Sequence, residues 1–501
     1  MKIIDCHVHP SPVADYDQAV RKLIQHMSAH HIERMIASDL GDKWPHFPSS
    51  DIIRAANERL RKASVNSGGK LEYLIYLNPQ LADWRKEFMA HVHTACGVKL
   101  WVSLRSADGS LEASREVLRL AAEYRKPVLI HSLDRTGGLL PGEVGINDII
   151  DLAVSVPECR IVAAHMCGNW RKTVAMAKDF PGNVFFDFSG FYPERTALNR
   201  FVEAFGCDRV MYGSDAPGRS FGSQLSKISE LAIAPEDLQK ILYDNAVKVF
   251  SLPEFNQPVP PRQLPEWPVK SFAEDNFCFV GSCRYFDHAV SVGDLQQAAA
   301  RAGIKICFAA SLEAACAVNQ AAANQAYLQS AANCPLIRPL AAIDLVNKAA
   351  ALQQLDFLDG FAGVWISPYL HNYQLDDPGN MEFFRSCARR EIPLWINTSL
   401  GDDRFRPLEL HSRLVRDEEI TRFIRQFPAN KYVFQGVADL ATLSRDMPDY
   451  CYWECSKLSD GEYKAEQFFA ENGGDPAQLC FGSEYPFRAI DSVANVLQGR
   501  I

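Results

Sequence analysis

The chain begins with an alternating stretch, "KIIDCHVH", in which apolar and polar side chains take turns. Alternation is typical of a β-strand, because successive side chains point to opposite faces. On such a strand Asp5, His7 and His9 share one face. Two imidazoles and a carboxylate on one face suit a divalent metal, although two solvent-facing histidines on an edge strand would give the same pattern.

Seven further strand-like segments follow in the first half, separated by helical patterns such as "SSDIIRAANERLRKA" and "SREVLRLAAEYRK". The eight predicted strands cover residues 2–9, 34–39, 71–79, 97–104, 127–132, 160–166, 184–189 and 209–215. Alternating strands and helices predict a parallel sheet, and eight such units in about 250 residues indicate a (β/α)8 barrel. An open doubly wound sheet is the alternative, but the glycine-rich phosphate motif expected after its first strand is absent.

A proline-rich stretch divides the chain in two. Residues 253–270 read "PEFNQPVPPRQLPEWPVK" and hold six prolines. Proline removes amide donors and restricts the preceding residue, so this composition predicts an extended linker. We therefore expect one domain over residues 1–252 and a second over residues 271–501.

The second half repeats the order of the first. "GVKLWVS" at 97–103 is echoed by "GVWISPY" at 363–369, and "MYGSDAP" at 211–217 by "CFGSEYP" at 480–486. The offset between matched positions stays within about 266 to 276 residues, which favours tandem duplication over chance likeness of buried strands. The predicted fold class is α/β, with two (β/α)8 TIM-like barrels in tandem.

Composition narrows the range of functions. The formal net charge of the 501 residues is −9, without a strongly basic tract, which argues against a nucleic-acid binder or an anionic-membrane binder. No apolar run reaches the roughly 18 residues of a membrane span, and Met1 leads directly into the first strand. The 14 cysteines are scattered without a C-x-x-C pair, as reduced thiols are. We expect a cytoplasmic protein that acts on a small molecule.

Polar groups recur where the predicted strands of the first barrel end. Reactive groups of such barrels come from these carboxyl ends, which meet at one mouth. The residues at these ends are His7, His9, Lys99, His131, His165 and Asp215. Singly, each has an ordinary structural explanation, such as a hydrogen-bonded core histidine or a capping carboxylate. Together they predict a metal site, because buried charges of this kind need partners or a cation.

These motifs resemble those of the amidohydrolase superfamily, in particular its amidohydrolase family 2 branch of TIM-barrel metal-dependent hydrolases. The motifs, in order over residues 3–250, are "IDCHVH", "GVKL", "VLIHS", "AAHMCGN", "FFDFSG", "YGSDAP" and "ILYDNAVKVF". The resemblance implies that Asp215 is both a metal ligand and a proton shuttle, and that the other ligands are His7, His9, His131 and His165. For Lys99 it implies either a carbamate that bridges two metals or a free amine beside a single metal.

The second half departs from this pattern at every ligand position. The positions matched to the six first-half residues hold Cys283, Tyr285, Trp365, Asn397, Gly436 and Glu484. A set without histidine and with a central tryptophan does not suit a hydrolytic metal centre. We therefore expect the second barrel to be a degenerate, catalytically silent copy. It would pair with the first as an intramolecular pseudo-dimer, with or without a higher oligomer.

The expected cofactor is one or two divalent metals per chain, with zinc favoured over manganese or iron. A bound cation lowers the pKa of its water to about 7, which supplies hydroxide at neutral pH. Asp215 and His165 are the predicted catalytic residues, and Asp5 is expected to orient a ligand imidazole or the strand-8 turn. Substrate contacts are expected in the loops after the strands, from Trp44, Arg105, Arg135, Trp170, Tyr192 and Arg219.

Three functions agree with this pattern. The favoured one is a metal-dependent hydrolase that uses a metal-bound hydroxide on a small carboxylated lactone, amide or ester. The same branch contains non-oxidative decarboxylases of small aromatic or enoic acids, which often replace one strand-1 histidine. The presence of both His7 and His9 favours hydrolysis. The third function is a non-catalytic metal-binding scaffold, against which the intact ligand set of the first half argues.

Overall fold

The structure, a computed structural model, describes residues 1–10, 15–42, 44–253, 272–437, 440, 448–461, 464 and 475–497. The predicted linker, apart from Pro253, lies outside these described residues. The described chain forms two compact units: residues 1–191 and 196–253 in the first, and residues 192–195 with those from 272 onward in the second. No helix in the described ranges is long and apolar enough to cross a membrane. The pseudo-dimer stays a prediction.

The first unit contains an eight-stranded sheet in which each strand pairs in parallel with the next. Its strands, β1 to β8, are Ile4–Val8, Arg34–Ala37, Leu71–Leu77, Gly97–Leu100, Val128–Ile130, Ile161–Ala163, Val184–Asp187 and Val210–Met211. Backbone hydrogen bonds from Cys6 N to Tyr212 O (3.0 Å) and from His9 N to Ala216 O (2.8 Å) close the sheet. The predicted (β/α)8 barrel is therefore confirmed.

The crossover segments are helical because each has one apolar face to bury. In the helix Ser50–Asn66, Ile53 and Leu60 are buried, and the Ser49 side chain caps the first turn. The α-helices of the first unit are Tyr16–Ala29, Ser50–Asn66, Trp84–His91, Glu112–Glu123, Ile146–Ser155, Trp170–Ala175, Ala197–Phe205, Phe221–Leu225, Pro235–Gln239 and Asn245–Phe250. Shorter helical turns are Ala164–Cys167, Ala177–Asp179, Cys207–Arg209, Ser226–Glu230 and Lys240–Asp244.

One apolar cluster joins the barrel strands to the last helix of the unit. Ile36, Leu74, Leu129, Val162 and Met211 each come from a different strand and are fully buried together. They pack with the apolar face of the helix Asn245–Phe250. This packing holds the strands in a fixed mutual register, so the polar residues that follow them are also held in place.

Several strands end earlier than the sequence predicts, so the predicted and observed bounds differ at the carboxyl end. The sixth strand is predicted over 160–166 but ends at Ala163, and the next residues form a turn in which His165 has φ 61°. Asp215, beyond the end of β8, has φ 66°. Left-handed residues interrupt strand pairing and redirect side chains. These two site residues therefore follow the strands instead of lying in them.

The second unit contains a nine-stranded sheet. Its strands, β9 to β17, are Glu274–Cys283, Phe286–Val290, Ile306–Ser311, Ile337–Ala342, Gly363–Ile366, Leu394–Asn397, Tyr432–Gln435, Cys451–Glu454 and Leu479–Cys480. Strand β10 forms an antiparallel hairpin with β9, and the other neighbours are parallel. Hydrogen bonds from Asn276 N to Phe481 O and from Phe279 N to Tyr485 O, each 2.8 Å, close this sheet. The predicted second TIM-like barrel is confirmed, with the β10 hairpin as an addition.

The helices of the second unit follow its strands in the same alternation. The α-helices are Val292–Ala302, Leu312–Cys316, Gln320–Ala331, Lys348–Gln354, Met381–Arg389, Asp417–Gln426 and Ile490–Leu497. Short 3-10 turns are Leu355–Phe357, Pro378–Asn380, Asp403–Phe405, Ser456–Ser459 and Pro476–Gln478. The helix Val292–Ala302 begins with a capping box between Ser291 and Asp294, so its start is specified locally.

Hydrogen bonding fixes how the first strands of the two barrels correspond. Asp5 Oδ1 accepts from the amide two residues onward and from the Ser214 amide. Asp275 Oδ1 accepts in the same way from the amide two residues onward and from the Ser483 amide. Asp5 and Asp275 therefore occupy equivalent positions.

This equivalence corrects the predicted counterparts of the strand-1 histidines. With Asp5 matched to Asp275, His7 corresponds to Phe277 and His9 to Phe279. The sequence match was wrong here because β9 continues past the barrel into its hairpin, so the polar residues at its far end resembled a strand end. The mistaken counterparts were Cys283 and Tyr285.

Candidate metal site

Four histidines meet inside the first barrel. The Nε2 atoms of His7 and His9 lie 3.0 Å apart, and His165 Nε2 lies 3.2 Å from His131 Nδ1. The rings of His7 and His165 stack with their centroids 5.0 Å apart, which joins the two pairs into one cluster. The barrel thus brings together all four histidines singled out from the sequence.

The hydrogen-bond partners of the Nδ1 atoms fix the tautomers of His7 and His9. His7 Nδ1 donates to Asp187 Oδ2 at 3.0 Å, and His9 Nδ1 donates to the Ser38 carbonyl at 2.9 Å. A carboxylate and a carbonyl only accept, so these partners assign the ring proton to Nδ1 in both histidines. Their Nε2 lone pairs therefore face each other.

The second pair follows the same logic. His131 Nε2 donates to Glu143 Oε1 at 3.3 Å, which leaves Nδ1 unprotonated. Ser189 donates its hydroxyl to Asp187 and therefore accepts from His165 Nδ1 at 2.9 Å. The lone pairs of His165 Nε2 and His131 Nδ1 therefore also face each other.

Converging lone pairs repel one another unless a cation lies among them, so this donor set fits a divalent metal. Burial lowers the pKa of His7, His9 and His165 well below the ordinary value, and nearby Lys99 adds to the effect on His7 and His9. Neutral imidazole is the form that binds a metal. The ligand atoms of His7, His9 and Asp215 all lie within 4.8 Å of one another.

Asp215 stands at the solvent side of this cluster. Its Oδ1 lies 3.5 Å from His9 Nε2 and 3.9 Å from His7 Nε2, and 27% of its side chain is exposed. A second group of candidate ligand atoms consists of His7, His165 and Asp187. Asp187 already accepts from His7, so it is better placed to orient that ring than to bind the metal directly.

Lys99 belongs to the same site. Its Nζ lies 2.8 Å from His7 Nε2, and the side chain is fully buried. Burial lowers the pKa of Lys99 to about 8, against the opposing charges of Asp215 and Asp187. As an ammonium Lys99 donates to the His7 lone pair, and as an amine it releases that lone pair.

Asp5 connects the strand-1 histidines to the strand-8 turn. Its Oδ1 accepts from the amides of His7 and Ser214, each at 3.0 Å. Burial raises the pKa of Asp5 to about 7. Of the two roles expected from the sequence, Asp5 therefore has contacts for holding the strand-8 turn.

Three residues around the cluster were missed in the sequence. Asp187 and Ser189 lie in the quoted motif "FFDFSG", where the same strand-end rule that selected Asp215 would have found the carboxylate. Glu143 lies in a loop without a periodic signal. Arg135 donates two hydrogen bonds of 2.7 Å each to the Glu143 carboxylate. Although burial opposes it, hydrogen bonding, first from His131, lowers the pKa of Glu143 to about 2.

Two tryptophans lie beside the histidines. The Trp44 ring centroid lies 6.0 Å from that of His9, and Trp101, which the sequence analysis did not select, lies 6.5 Å from His131. The Trp44 indole N–H is buried and has no hydrogen-bond partner among the described residues. An apolar wall with one unused donor is a feature of small-molecule sites.

The arginines predicted to contact substrate already have protein partners. Arg105 binds the Asp148 carboxylate, and Arg135 binds Glu143 as described. Arg219 Nε donates to the Gly190 carbonyl at 3.2 Å. Each of the three therefore has a hydrogen-bond partner within the protein, and their contacts with substrate stay predictions.

The two remaining aromatic residues, Trp170 and Tyr192, have cationic neighbours, and their contacts with substrate stay predictions. Trp170 is buried, with the guanidinium of Arg171 4.4 Å from its ring centroid. Tyr192 belongs to the second unit, where Lys457 Nζ lies 4.3 Å and the Arg488 guanidinium 3.9 Å from its ring centroid.

The second barrel carries an ion-pair network at the position that Asp215 occupies in the first. Glu484 matches Asp215 in its left-handed backbone, with φ 60°, and its carboxylate lies 2.7 Å from Arg488 Nε and 3.6 Å from Lys457 Nζ. Arg488 also binds Asp460, and these side chains are almost wholly buried. Protein cations thus neutralise Glu484.

In the second barrel, aromatic rings occupy positions where the first barrel has metal-site residues. Phe279, at the position of His9, meets Trp365, at the position of Lys99, edge to face with their centroids 5.6 Å apart. Apolar rings offer no lone pairs to a metal, so this copy is degenerate as a ligand set.

Comparisons with known proteins agree with this division of the chain. The family model described as Amidohydrolase matches residues 4–252. Similar solved structures include 2,6-dihydroxybenzoate decarboxylase from Rhizobium (17% identity, TM-score 0.41, covering 50% of this chain and 99% of that one). Another is 4-oxalomesaconate hydratase from Rhodopseudomonas palustris (16%, 0.40, 50% and 95%). A third is 5-carboxyvanillate decarboxylase from Novosphingobium aromaticivorans in complex with manganese (14%, 0.39, 50% and 96%).

At these identities the likeness to solved structures concerns the fold alone, and no curated protein sequence matches the chain. The family match spans the barrel that contains the four histidines. The first barrel of this chain, residues 4–252, therefore belongs to the amidohydrolase superfamily, in its amidohydrolase family 2 branch.

Proposed function

We propose that the first barrel is a metal-dependent hydrolase of a small carboxylated lactone, amide or ester. The observation that carries the proposal is the convergence of unprotonated imidazole nitrogens beside a partly exposed carboxylate, Asp215. Members of the family bind divalent metals, which supports the proposal.

Three residues, His7, His9 and Asp215, would hold the metal, with His131 and His165 beside them. When bound, a divalent cation would polarise a substrate carbonyl and make hydroxide available near neutral pH. Zinc is proposed because it favours imidazole nitrogen, with manganese or iron as alternatives.

The protein's own groups would move the proton. Asp215 is the partly exposed carboxylate of the site, so it can take a proton from the attacking water and deliver it to the leaving group. His165 Nε2 offers an oriented lone pair, because Ser189 and Asp187 fix the opposite side of its ring. His165 would therefore hold a substrate hydroxyl or the attacking water in place.

The apolar side of the site would select the substrate. Trp44 and Trp101 would contact its flat or aliphatic part, and the Trp44 indole N–H would donate to a substrate oxygen. Supporting arginines such as Arg135 act through carboxylates that they already bind.

Non-oxidative decarboxylation of a small aromatic or enoic acid is the second candidate. It would use the same metal ligands, and the presence of both His7 and His9 favours hydrolysis over it. The two are separated by product analysis of metal-loaded protein with lactones and hydroxybenzoates. Release of CO2 would contradict hydrolysis, and ring or ester opening would support it.

The site itself is tested by His7→Ala and His165→Ala, which should abolish turnover while the protein still folds. His371→Ala, a histidine change in the second unit, is the matched control and should keep the wild-type rate. If either site variant keeps more than about a tenth of that rate in metal-depleted buffer, the assignment is wrong.

We also propose that the second barrel is a pseudoenzyme that arose by tandem duplication. The equivalent hydrogen bonds of Asp5 and Asp275, and the equivalent left-handed backbones of Asp215 and Glu484, support common descent. The loss of every imidazole at the matched positions supports the absence of hydrolysis in this copy.

A further inference from the structure

Two cysteines far apart in sequence lie side by side in the second unit. Cys283 is the last residue of β9, and Cys316 is the last residue of the helix Leu312–Cys316. Their Sγ atoms are 2.9 Å apart although 33 positions separate them in the chain, and both are free thiols. A disulfide bond is about 2.05 Å long, so closing it requires a movement of less than about 1 Å.

The surroundings of the pair divide the chemical roles between the two sulfurs. Hydrogen bonding with Cys316 lowers the pKa of Cys283 to about 7, and the Tyr285 amide and the Arg284 charge add to this effect. The same hydrogen bond, with burial, raises the pKa of Cys316. The Tyr285 amide donates to Cys283 Sγ at 3.5 Å, so Cys283 is the sulfur that reaches the thiolate form near neutral pH.

A neighbouring sulfur together with a lowered pKa distinguishes this pair from the other partly buried cysteines. Cys283 is 9% exposed and Cys316 is partly buried, so a small reagent can reach the pair. Cys96, Cys207 and Cys480 are also partly buried, but burial raises their pKa, and within the described ranges none of the three has a hydrogen bond to a second sulfur. Thiolate character and a neighbouring resolving thiol occur together at Cys283 and Cys316.

We propose that Cys283 and Cys316 form a reversible dithiol–disulfide couple whose oxidant is a low-molecular-weight disulfide such as oxidised glutathione. This site is independent of the proposed hydrolase function. Neither sulfur belongs to the histidine cluster, and the corrected strand correspondence removes Cys283 from the ligand positions.

The exchange takes two steps. The Cys283 thiolate attacks one sulfur of the oxidant, which forms a mixed disulfide and releases one small thiolate that takes a proton from water. Cys316 then loses its proton to solvent and attacks Cys283 Sγ, which breaks the mixed disulfide and releases the second small thiol. The protein gives up two electrons and two protons, and one oxidant molecule becomes two thiols.

The test uses the full-length protein, reduced and then equilibrated in buffers of graded reduced-to-oxidised glutathione ratio. After acid quenching and alkylation, peptide mapping should find a Cys283–Cys316 link and the loss of two of the 14 thiols. Restoring an excess of reduced glutathione should restore both thiols. A native protein that keeps both thiols free at every ratio, or links a different pair, would overturn the proposal.

Three serine variants separate the roles. In Cys316→Ser the exchange should end at the mixed disulfide between Cys283 and glutathione, because the resolving thiol is absent. Cys283→Ser should acquire neither the link nor the adduct at Cys316. The matched control, Cys96→Ser, should form the link as the wild type does. An adduct that appears first on Cys316 would contradict the assigned roles.

Discussion

At the scale of single residues, each imidazole of the site is defined by the group behind it. Asp187 and the Ser38 carbonyl hold the protons of His7 and His9 on their outer nitrogens. Glu143 does the same for His131. Because these partners are fixed by packing, the lone pairs stay directed inward before any metal arrives, and binding requires little reorganisation.

We predict that Asp187→Asn lowers metal affinity about 10- to 100-fold. The Oδ1 side of Asp187 accepts from the His165 amide and from Ser189, so an asparagine would keep its oxygen there. Its NH2 group would then face His7 Nδ1 and force the ring proton onto Nε2. Metal titration of the apoprotein measures the loss, with the exposed Asp179→Asn as control. Equal affinities for both variants would show that Asp187 does not orient His7.

A second residue-scale prediction concerns pH. Burial raises the pKa of Glu454 to about 8 in the folded protein, above the ordinary value of about 4.5. The folded state therefore binds a proton that the unfolded chain has lost, so this group's stabilising contribution is full below about pH 4.5 and decreases up to about pH 8. Glu454→Gln should remove that decrease.

Urea unfolding of wild type and Glu454→Gln at about pH 5 and about pH 8 measures the difference. The wild type should lose more stability between the two pH values than the variant. Parallel losses would mean that Glu454 titrates normally when folded.

At the scale of elements, the turns after the strands do the positioning. The turn after β7 approaches the site so closely that a Cβ on Gly190, which has φ 84°, would overlap the His165 ring. Gly206, with φ 79°, has open space around it instead. Both positions favour glycine for its backbone freedom, but only one of them limits a site residue.

We predict that Gly190→Ala reduces turnover and metal affinity far more than Gly206→Ala does. Both changes add a Cβ at a residue with positive φ and so strain the backbone, and Gly206, with ψ 155°, lies in a region that essentially only glycine occupies. Only Gly190→Ala also displaces His165. Denaturation curves and metal titrations of the two variants separate strain from displacement. Equal losses of turnover and metal affinity in the two variants would show that backbone strain alone causes them.

At the scale of the whole molecule, the two barrels share one architecture but surround the carboxylate after their last strand differently. The first leaves Asp215 beside inward lone pairs, which calls for a metal. The second neutralises Glu484 with Arg488 and Lys457 and fills the imidazole positions with aromatic rings. The carboxylate of Glu484 is fully buried and needs these cations, whereas Asp215 is partly exposed to solvent.

We therefore predict one or two metal equivalents per chain, all held by the first barrel. Two equivalents that fall to one in Lys99→Ala would support a carbamate-bridged pair. A single equivalent that persists in this variant would support the mononuclear site. Elemental analysis of intact protein, Lys99→Ala and His131→Ala measures the count. Three or four equivalents would mean that the second barrel binds metal and is not silent.

Much of this architecture could be predicted from the sequence because its signals are local. Alternation marked the first strand, strand-like segments between helical patterns marked the other seven of the first barrel, and the repeated motifs placed a second barrel after the linker. The four histidines and Asp215 could be selected because the carboxyl ends of barrel strands meet at one mouth wherever the loops lead. The strand boundaries and the counterparts of His7 and His9 could not be predicted from the sequence, because left-handed turns and the added hairpin leave no periodic signal.

The sequence by itself therefore determined the class of fold, the order of its elements and the identities of the converging histidines. The tertiary structure alone decided which nitrogen of each ring carries the proton, because that depends on Asp187, Glu143 and the Ser38 carbonyl, which come from distant segments. It also decided which predicted arginines serve carboxylates, since a salt bridge such as Arg135–Glu143 depends on how a loop folds back. Hydrogen-bond partners are properties of three-dimensional proximity, and periodicity carries no information about them.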